Sequence, residues 1–299
     1  MTNSMTGTTV PSISSAAMLV ELSIGTWTGR KLDKKASQAV TSTNNADKGV
    51  ANVSKKLLGD CAELDAVQKF VANSRNVHYA CTMPWSDTGL RLLPTTQYFK
   101  YHEEMTHLQT EYKRLVEVFI DAYSWEIQNA QLKLGDLFNA DEYPTADSLI
   151  SKFRFKINYM PLPDAGDWRV SIGNETEDAL RSQYEGYYAQ QLQTAMGDVW
   201  RRAHDALTKM CERLDYADDN TRKVFRDSLV SNVHDMIELL GACNVTGDPV
   251  MTAAQRDLDD AMRGITPDAL REDAYLRAET RRKVNEVRKT IDNLPSLGF

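Results

Sequence analysis

The sequence predicts an α+β fold in which long α-helices pack with a small antiparallel β-sheet or hairpin. More than half of the 299 residues lie in segments whose apolar residues recur at helical spacing. Short segments in the first part of the chain instead alternate apolar and polar side chains, as strands do. A simple OB barrel would need five short strands at even spacing, so that fold is not expected.

The N-terminal segments combine a tail, a strand and a helix. Residues 1–16 are rich in Ser and Thr and predict a flexible tail. Residues 18–24 alternate in polarity and predict a strand, whereas the polar stretch 38–45 predicts a loop. An apolar stripe over residues 47–75 predicts a helix that Gly59 interrupts.

A long helix and a cationic hairpin complete the first predicted region, residues 17–172. Thr96 is a suitable N-cap for a helix that runs to about residue 134. In residues 152–159 apolar side chains alternate with cationic or polar ones, and residues 168–172 alternate again after a connection that contains Pro and Gly. This pattern predicts a β-hairpin with one packed face and one cationic face.

The remaining residues predict a helical region, 173–294, followed by a short tail, 295–299. Thr266 before Pro267 is a typical helix start, because proline fits the first helical turn. Helical spacing and capping residues predict four helices in this region, at residues 174–216, 220–243, 249–264 and 266–294.

Hydropathy argues against a membrane protein or a secreted protein. No apolar run approaches the ~20 residues that cross a bilayer, and the N-terminus lacks the pattern of a secretory signal. We therefore expect a cytoplasmic protein without membrane contact, in the host cytoplasm if the source is viral.

The motifs of common enzyme classes are missing from the sequence. There is no phosphate-binding loop, no dinucleotide fingerprint and no nucleophile elbow. The spacing of the four cysteines matches no metal or redox motif, so we expect them to be reduced core residues. They are Cys61, Cys81, Cys211 and Cys243. We therefore expect a protein without enzymatic activity, cofactor or metal, and an enzyme is the third hypothesis.

Positive charge is concentrated near the N-terminus of an otherwise acidic chain. The formal net charge is −7, yet residues 29–59 contain seven Lys or Arg and only two acids. Nucleic acid responds mainly to charges within a Debye length of about 8–10 Å. The net charge therefore does not exclude a local cationic groove.

Aromatic residues accompany the cations in the first 170 residues. Cations neutralise phosphates, and flat side chains stack on unpaired bases at about 1–3 kcal/mol per base. This combination predicts a surface for single-stranded DNA. The candidate binding residues are Trp27, Arg30, Lys31, Lys34, Lys35, Lys152, Arg154, Lys156 and Arg169.

Each candidate also has an ordinary structural interpretation. Trp27, between Gly25 and Gly29, is equally typical of a core anchor and of a site where another chain approaches closely. The cations of the predicted hairpin are equally typical of a solvated face. Phe153 and Phe155 lie on the opposite face and predict core packing.

The segment Ile-Gly-Thr-Trp-Thr-Gly-Arg-Lys-Leu-Asp-Lys-Lys, residues 24–35, resembles the opening of an uncharacterised family of bacteriophage and plasmid proteins. The family is known only as a domain of unknown function, and its genes often lie near replication genes or MoxR-like AAA ATPases. Size and the order of strands and helices are also similar over most of the chain. The resemblance implies a phage origin, a role in nucleic-acid metabolism and replication or ATPase partners, without an assigned active site. The positions that the resemblance singles out are Trp27, Arg30, Lys31, Lys34 and Lys35.

Two functions follow as the leading hypotheses. The first is a non-enzymatic, sequence-independent single-stranded DNA-binding protein of phage type that acts in DNA replication. The alternative is a helical interaction or assembly protein, such as an ATPase adaptor or a structural component of a virion, because long amphipathic helices suit partner binding and homo-oligomer formation.

Overall fold

The computed structural model describes residues 13–163, 174–216 and 226–294, with the side chains of the long fifth helix described from residue 182 onward. Helices account for 66% of the structure, and a small antiparallel sheet has four strands. The strands in this described part do not close into a barrel. The predicted α+β class is therefore confirmed.

The described residues contain six strands and nine α-helices. The strands are β1 (Ala17–Gly25), β2 (Arg30–Asp33), β3 (Val53–Lys56), β4 (Met83–Pro84), β5 (Arg91–Pro94) and β6 (Arg154–Pro161). The helices are α1 (Lys34–Thr43), α2 (Ala62–Cys81), α3 (Tyr98–Leu134), α4 (Ala146–Ile150), α5 (Asn174–Arg213), α6 (Ser228–Cys243), α7 (Pro249–Met262), α8 (Pro267–Glu272) and α9 (Ala274–Asp292). Short 3₁₀ turns cover Thr95–Gln97, Gly135–Leu137 and Ala140–Glu142.

The strands form one four-stranded sheet and one separate ribbon. The sheet has the order β4-β5-β1-β6, and β1 pairs antiparallel with β5 so that Met18 lies opposite Leu93. The ribbon consists of β2 and β3, which also pair antiparallel. The strand predicted at residues 18–24 is confirmed as β1.

The chain divides into two compact units that alternate along the sequence. Unit 1 contains residues 1–21, 80–99 and 159–299, and unit 2 contains residues 22–79 and 100–158. The predicted division after residue 172 lies inside unit 1. Each unit is therefore built from segments that are distant in the sequence.

Unit 1 is held together by the apolar stripes of its helices. The helix α5 packs against α6 and α9, and α7 packs against the same two helices. Leu207, Val233, Leu258 and Val284 are fully buried in this core. Burial of such side chains contributes about 1.5–3 kcal/mol each.

Unit 2 is organised around α3. Tyr101, Met105, Leu108, Tyr112 and Phe119 recur every three to seven residues along α3 and are buried. This spacing places them on one face of the helix. The helix predicted at residues 96–134 is therefore confirmed as α3.

Two sequence predictions near the N-terminus are wrong. The stretch predicted as a loop, 38–45, mostly belongs to α1, because Asp33 caps this helix by accepting the Ala36 N–H at 2.9 Å. The hydroxyl of Thr43 bonds back to the Ala39 carbonyl at 2.8 Å, so polar side chains are satisfied within the helix. The helix predicted at residues 47–75 begins only at Ala62, since residues 53–56 pair with β2 instead.

The C-terminal helices agree with the sequence except at one break. The helix predicted at residues 266–294 is two helices, and Asp273 caps the second by accepting the Tyr275 and Leu276 N–H groups. The helices α5 and α7 lie where the sequence predicted them, and α6 ends as predicted at Cys243 but begins only at Ser228. The second hairpin strand, 168–172, lies outside the described residues.

We predict that Gly29→Ala destabilises the protein by about 1–3 kcal/mol. Gly29 has φ +62°, and an added Cβ would lie 2.7 Å from Leu64 Cδ2. Gly135 has φ +51° with open space around it, so Gly135→Ala isolates the backbone cost from the clash. Urea denaturation should show the larger loss for Gly29→Ala; equal losses would mean that the clash with Leu64 is relieved.

Candidate nucleic-acid interface

The ribbon of β2 and β3 places two of the predicted cations opposite two further lysines. Arg30 lies opposite Lys56, and Lys31 lies opposite Lys55. Opposed residues in an antiparallel pair share a face, and neighbouring residues alternate between faces. Like charges directly opposite each other repel, so each face needs counter-charges from the protein or from a ligand.

The face of Lys31 and Lys55 receives its counter-charges from the protein. Lys55 Nζ lies 2.7 Å from a Glu142 carboxylate oxygen and 3.7 Å from an Asp33 oxygen, and only 8% of the Lys55 side chain is exposed. Lys31 Nζ lies 3.9 Å from Glu142, but half of its side chain stays exposed. Lys55 is therefore a structural cation, whereas Lys31 remains accessible.

Asp33 has a structural role beside these lysines. Its carboxylate accepts the Ala36 N–H at the start of α1 and faces Lys55. The Ala36 N–H and the Lys55 ammonium hold the pKa of Asp33 below its usual value. The carboxylate is thus ionised at neutral pH and fixes the first turn of α1.

Arg30, Lys34 and Lys35 are exposed and form no ion pair with any residue in the described part of the chain. Lys34 and Lys35 are the first two residues of α1. Cations at a helix N-terminus are unfavourable with respect to the helix dipole by about 0.3–1 kcal/mol each. Local helix stability therefore does not explain why they occur there.

Three of the predicted lysines line one cleft. The cleft has a volume of about 460 Å³ and contains Lys31, Lys34 and Lys35 in its wall, together with Lys55. The opposite wall consists of Asp136, Leu137, Phe138, Asn139 and Glu142, the segment that follows α3. Lys31, Lys34 and Lys35 thus converge on one concave surface, whereas Arg30 does not line it.

Phe138 supplies a flat ring to this cleft, and sequence reasoning missed it. The ring is half-buried, and its centroid lies 5.3 Å from that of Tyr143. The sequence did offer a signal, because Phe138 follows Gly135, where the helical spacing of apolar residues has ended. An aromatic residue at such a position is not explained by the apolar stripe of the helix. Phe138 is far from Lys34 along the chain, so the sequence did not indicate that both residues line the same cleft.

Trp27 does not belong to the cleft, so its predicted stacking role is wrong. The side chain is only 9% exposed. Its ring centroid lies 6.2 Å from Phe119 and 5.9 Å from Tyr123, both on α3. Trp27 is the core anchor that the alternative interpretation described.

The glycines beside Trp27 are explained by packing. At Gly25 an added Cβ would lie 2.9 Å from both the Lys152 carbonyl oxygen and Arg154 Cγ. At Gly29 the neighbour is the Leu64 side chain. Close approach by the protein itself therefore accounts for both positions.

The predicted cations in β6 and just before it form a second set, separate from the cleft of Lys34. Lys152, Arg154 and Lys156 are exposed, while Phe155 between them is buried against Tyr112 with ring centroids 5.6 Å apart. This alternation confirms the packed and cationic faces for the first strand of the predicted hairpin. Arg154 and Lys156 border an apolar groove of about 570 Å³ that shares no described residue with the cleft of Lys34. Arg169 lies outside the described residues.

Comparisons with protein-family models, with curated proteins and with solved structures found no match for this chain. Within the described residues, no helix combines the length and the apolar character that a membrane span requires. The functional argument therefore rests on the geometry of the cleft.

We predict that Trp27→Leu lowers stability by about 2–4 kcal/mol without changing affinity for DNA, because the indole fills the core of unit 2. Urea denaturation measures the first effect. Fluorescence polarisation with labelled oligo-dT, at a temperature where the variant is folded, measures the second. A selective loss of affinity in the folded variant would restore the stacking role of Trp27.

Proposed function

We propose that this chain binds single-stranded DNA without sequence preference and without catalysis, through the cleft between α1 and the segment after α3. The observation that carries the proposal is the meeting of Lys31, Lys34 and Lys35 with Phe138 in one concave surface. The resemblance to the phage and plasmid family supports a role in DNA replication, since that family's genes often lie near replication genes.

The accessible cations suit the phosphates of an extended strand. Lys34 and Lys35 form no ion pair within the described residues, so no such pair has to break before they meet a phosphate. Arg30 is equally exposed but does not line the cleft. Each phosphate that a cation neutralises releases counterions and favours binding at low salt. Lys55 contributes less, because Asp33 and Glu142 already neutralise it.

Phe138 suits an unpaired base. A base offers a flat face only when it is not enclosed in a duplex, and stacking on an aromatic ring does not depend on base identity. The ring lies in the same cleft as the lysines. This arrangement favours a single strand over duplex DNA.

The alternative function, helical assembly, is supported by a different surface. Val118, Trp125 and Leu132 recur every seven residues on α3 and are 44%, 63% and 85% exposed. A seven-residue apolar repeat on an open helix face is typical of helix–helix association. We propose self-association through this stripe as the second candidate function.

We predict that Lys34→Glu with Lys35→Glu weakens binding to oligo-dT by at least about tenfold. Loss of two phosphate contacts should also reduce the slope of log affinity against log salt by about 1.4. Polarisation titrations from low to physiological salt measure both quantities. Lys69→Glu with Lys209→Glu is the matched control, because these exposed helix lysines do not line the cleft.

Two results would contradict the DNA proposal: no salt-dependent binding by the wild-type chain, or equal loss in the control. If the Lys34/Lys35 variant keeps full affinity, the cleft is not the binding site. Sedimentation velocity of the same proteins tests the alternative, since an assembly formed through α3 should be insensitive to both charge changes.

We predict that Phe138→Ala weakens binding to oligo-dT by about 5–100-fold, the effect of one lost stack. Because the ring carries no charge, the salt slope should stay the same. Phe99→Ala is the control, since Phe99 is 81% exposed and lies outside the cleft. If Phe138→Ala binds oligo-dT as tightly as the wild type, Phe138 does not stack on a base and the cleft binds DNA through its charges alone.

A further inference from the structure

A second cluster of reactive side chains lies elsewhere in unit 2. Cys61 directly precedes α2, Glu63 lies in the first turn of α2, and Glu126 lies on α3. The thiol sulfur and one carboxylate oxygen from each glutamate all lie within 4.8 Å of one another. Burial and the two neighbouring carboxylates raise the pKa of the Cys61 thiol to about 11.

Glu126 is the member that packing does not explain. Its side chain is only 4% exposed, and its Oε2 has no hydrogen-bond partner in the described part of the chain. A buried carboxylate without a partner is costly, so such groups are normally paired or bound to a metal ion. Neither Glu63 nor Glu126 forms an ion pair with any described residue.

We infer that Cys61, Glu63 and Glu126 form a binding site for a divalent transition-metal ion of the Zn²⁺ class. A bound cation would neutralise the clustered acids and give the Glu126 oxygen its partner. This inference is independent of the DNA proposal, because none of the three residues lines the cleft of Lys34.

The donor atoms select the class of ion. Zn²⁺ accepts a cysteine sulfur at about 2.3 Å and carboxylate oxygens at about 2.0–2.2 Å. Mg²⁺ and Ca²⁺ prefer oxygen ligands alone, so the thiol disfavours them. Three protein ligands leave a fourth tetrahedral position for water or a small ligand.

The site is partly formed before an ion binds. Tetrahedral zinc with these bond lengths holds its ligand atoms about 3.3–3.8 Å apart. The Cys61 sulfur already lies 3.6 Å from a Glu63 oxygen, and the widest separation in the cluster is below 4.8 Å. Binding would require a movement of about 1 Å and would release the thiol proton to solvent.

Titration of the metal-free full chain with Co²⁺ tests the site directly. We expect one equivalent of Co²⁺ to bind, with thiolate-to-cobalt charge-transfer absorption in the near ultraviolet, and Zn²⁺ to displace it. Cys61→Ser should remove this absorption. Cys211→Ser, which changes a buried free cysteine in unit 1, should retain it.

Glu126→Gln separates loss of a ligand from loss of the fold. The variant should bind Co²⁺ at least about tenfold more weakly, whereas Glu103→Gln on an exposed position of α3 should not. Without metal, Glu126→Gln should unfold at a temperature no lower than the wild type, because the amide keeps the size of the side chain and needs no counter-ion. Excess Zn²⁺ should raise the unfolding temperature of the wild type more than that of the variant.

Absence of one-to-one Co²⁺ or Zn²⁺ binding by the wild-type chain would overturn the inference. Charge-transfer absorption that persists in Cys61→Ser would overturn it equally, since the thiolate would then lie elsewhere. The DNA-binding measurements depend on other residues, so the two proposals can fail separately.

Discussion

The buried ammonium of Lys55 is the interaction on which the cleft depends. Its Nζ contacts Asp33, Glu142 and the Leu137 carbonyl, so it joins β3 to the start of α1 and to the segment that follows α3. A cation with so little exposure is stable only when nearby groups compensate for its lost hydration. The acids that provide this compensation are the same acids that reduce the positive charge of the cleft. The same ion pairs that hold the walls of the cleft together therefore reduce its attraction for anions. The positive charge that remains available to an anion comes from the exposed lysines Lys31, Lys34 and Lys35.

Regular spacing made most of the fold predictable from the sequence. The apolar residues of α3 recur at helical spacing and those of β1 at every second position, and each pattern is visible in a short stretch of sequence. The spacing failed at α1, where polar side chains bond within the helix, and at β3, whose strand conformation depends on pairing with β2. The Asp33 cap at α1 and the pairing partner at β3 decide the conformation where the local preference is weak.

The candidate sites were less predictable than the fold because they combine distant residues. The cluster of Lys34 and Lys35 was visible in composition, but its aromatic partner Phe138 is about one hundred residues away along the chain. Trp27 was misassigned because flanking glycines look alike whether a ligand or a protein side chain approaches them. Cys61 matched no ligand spacing, since the acids beside it come from the first turn of α2 and the C-terminal half of α3.

The alternation of the two units along the sequence bears on how the protein is made. All residues of unit 2 have been synthesised once residue 158 is added, whereas unit 1 is complete only after α9. Domains tend to fold as units during synthesis. The first half of β1 can pair with β5 early, yet the helical core of its unit is still untranslated. Apolar side chains from the first part of unit 1 thus lack their helical partners during much of translation. Chaperone binding to the nascent chain would be favoured in that period.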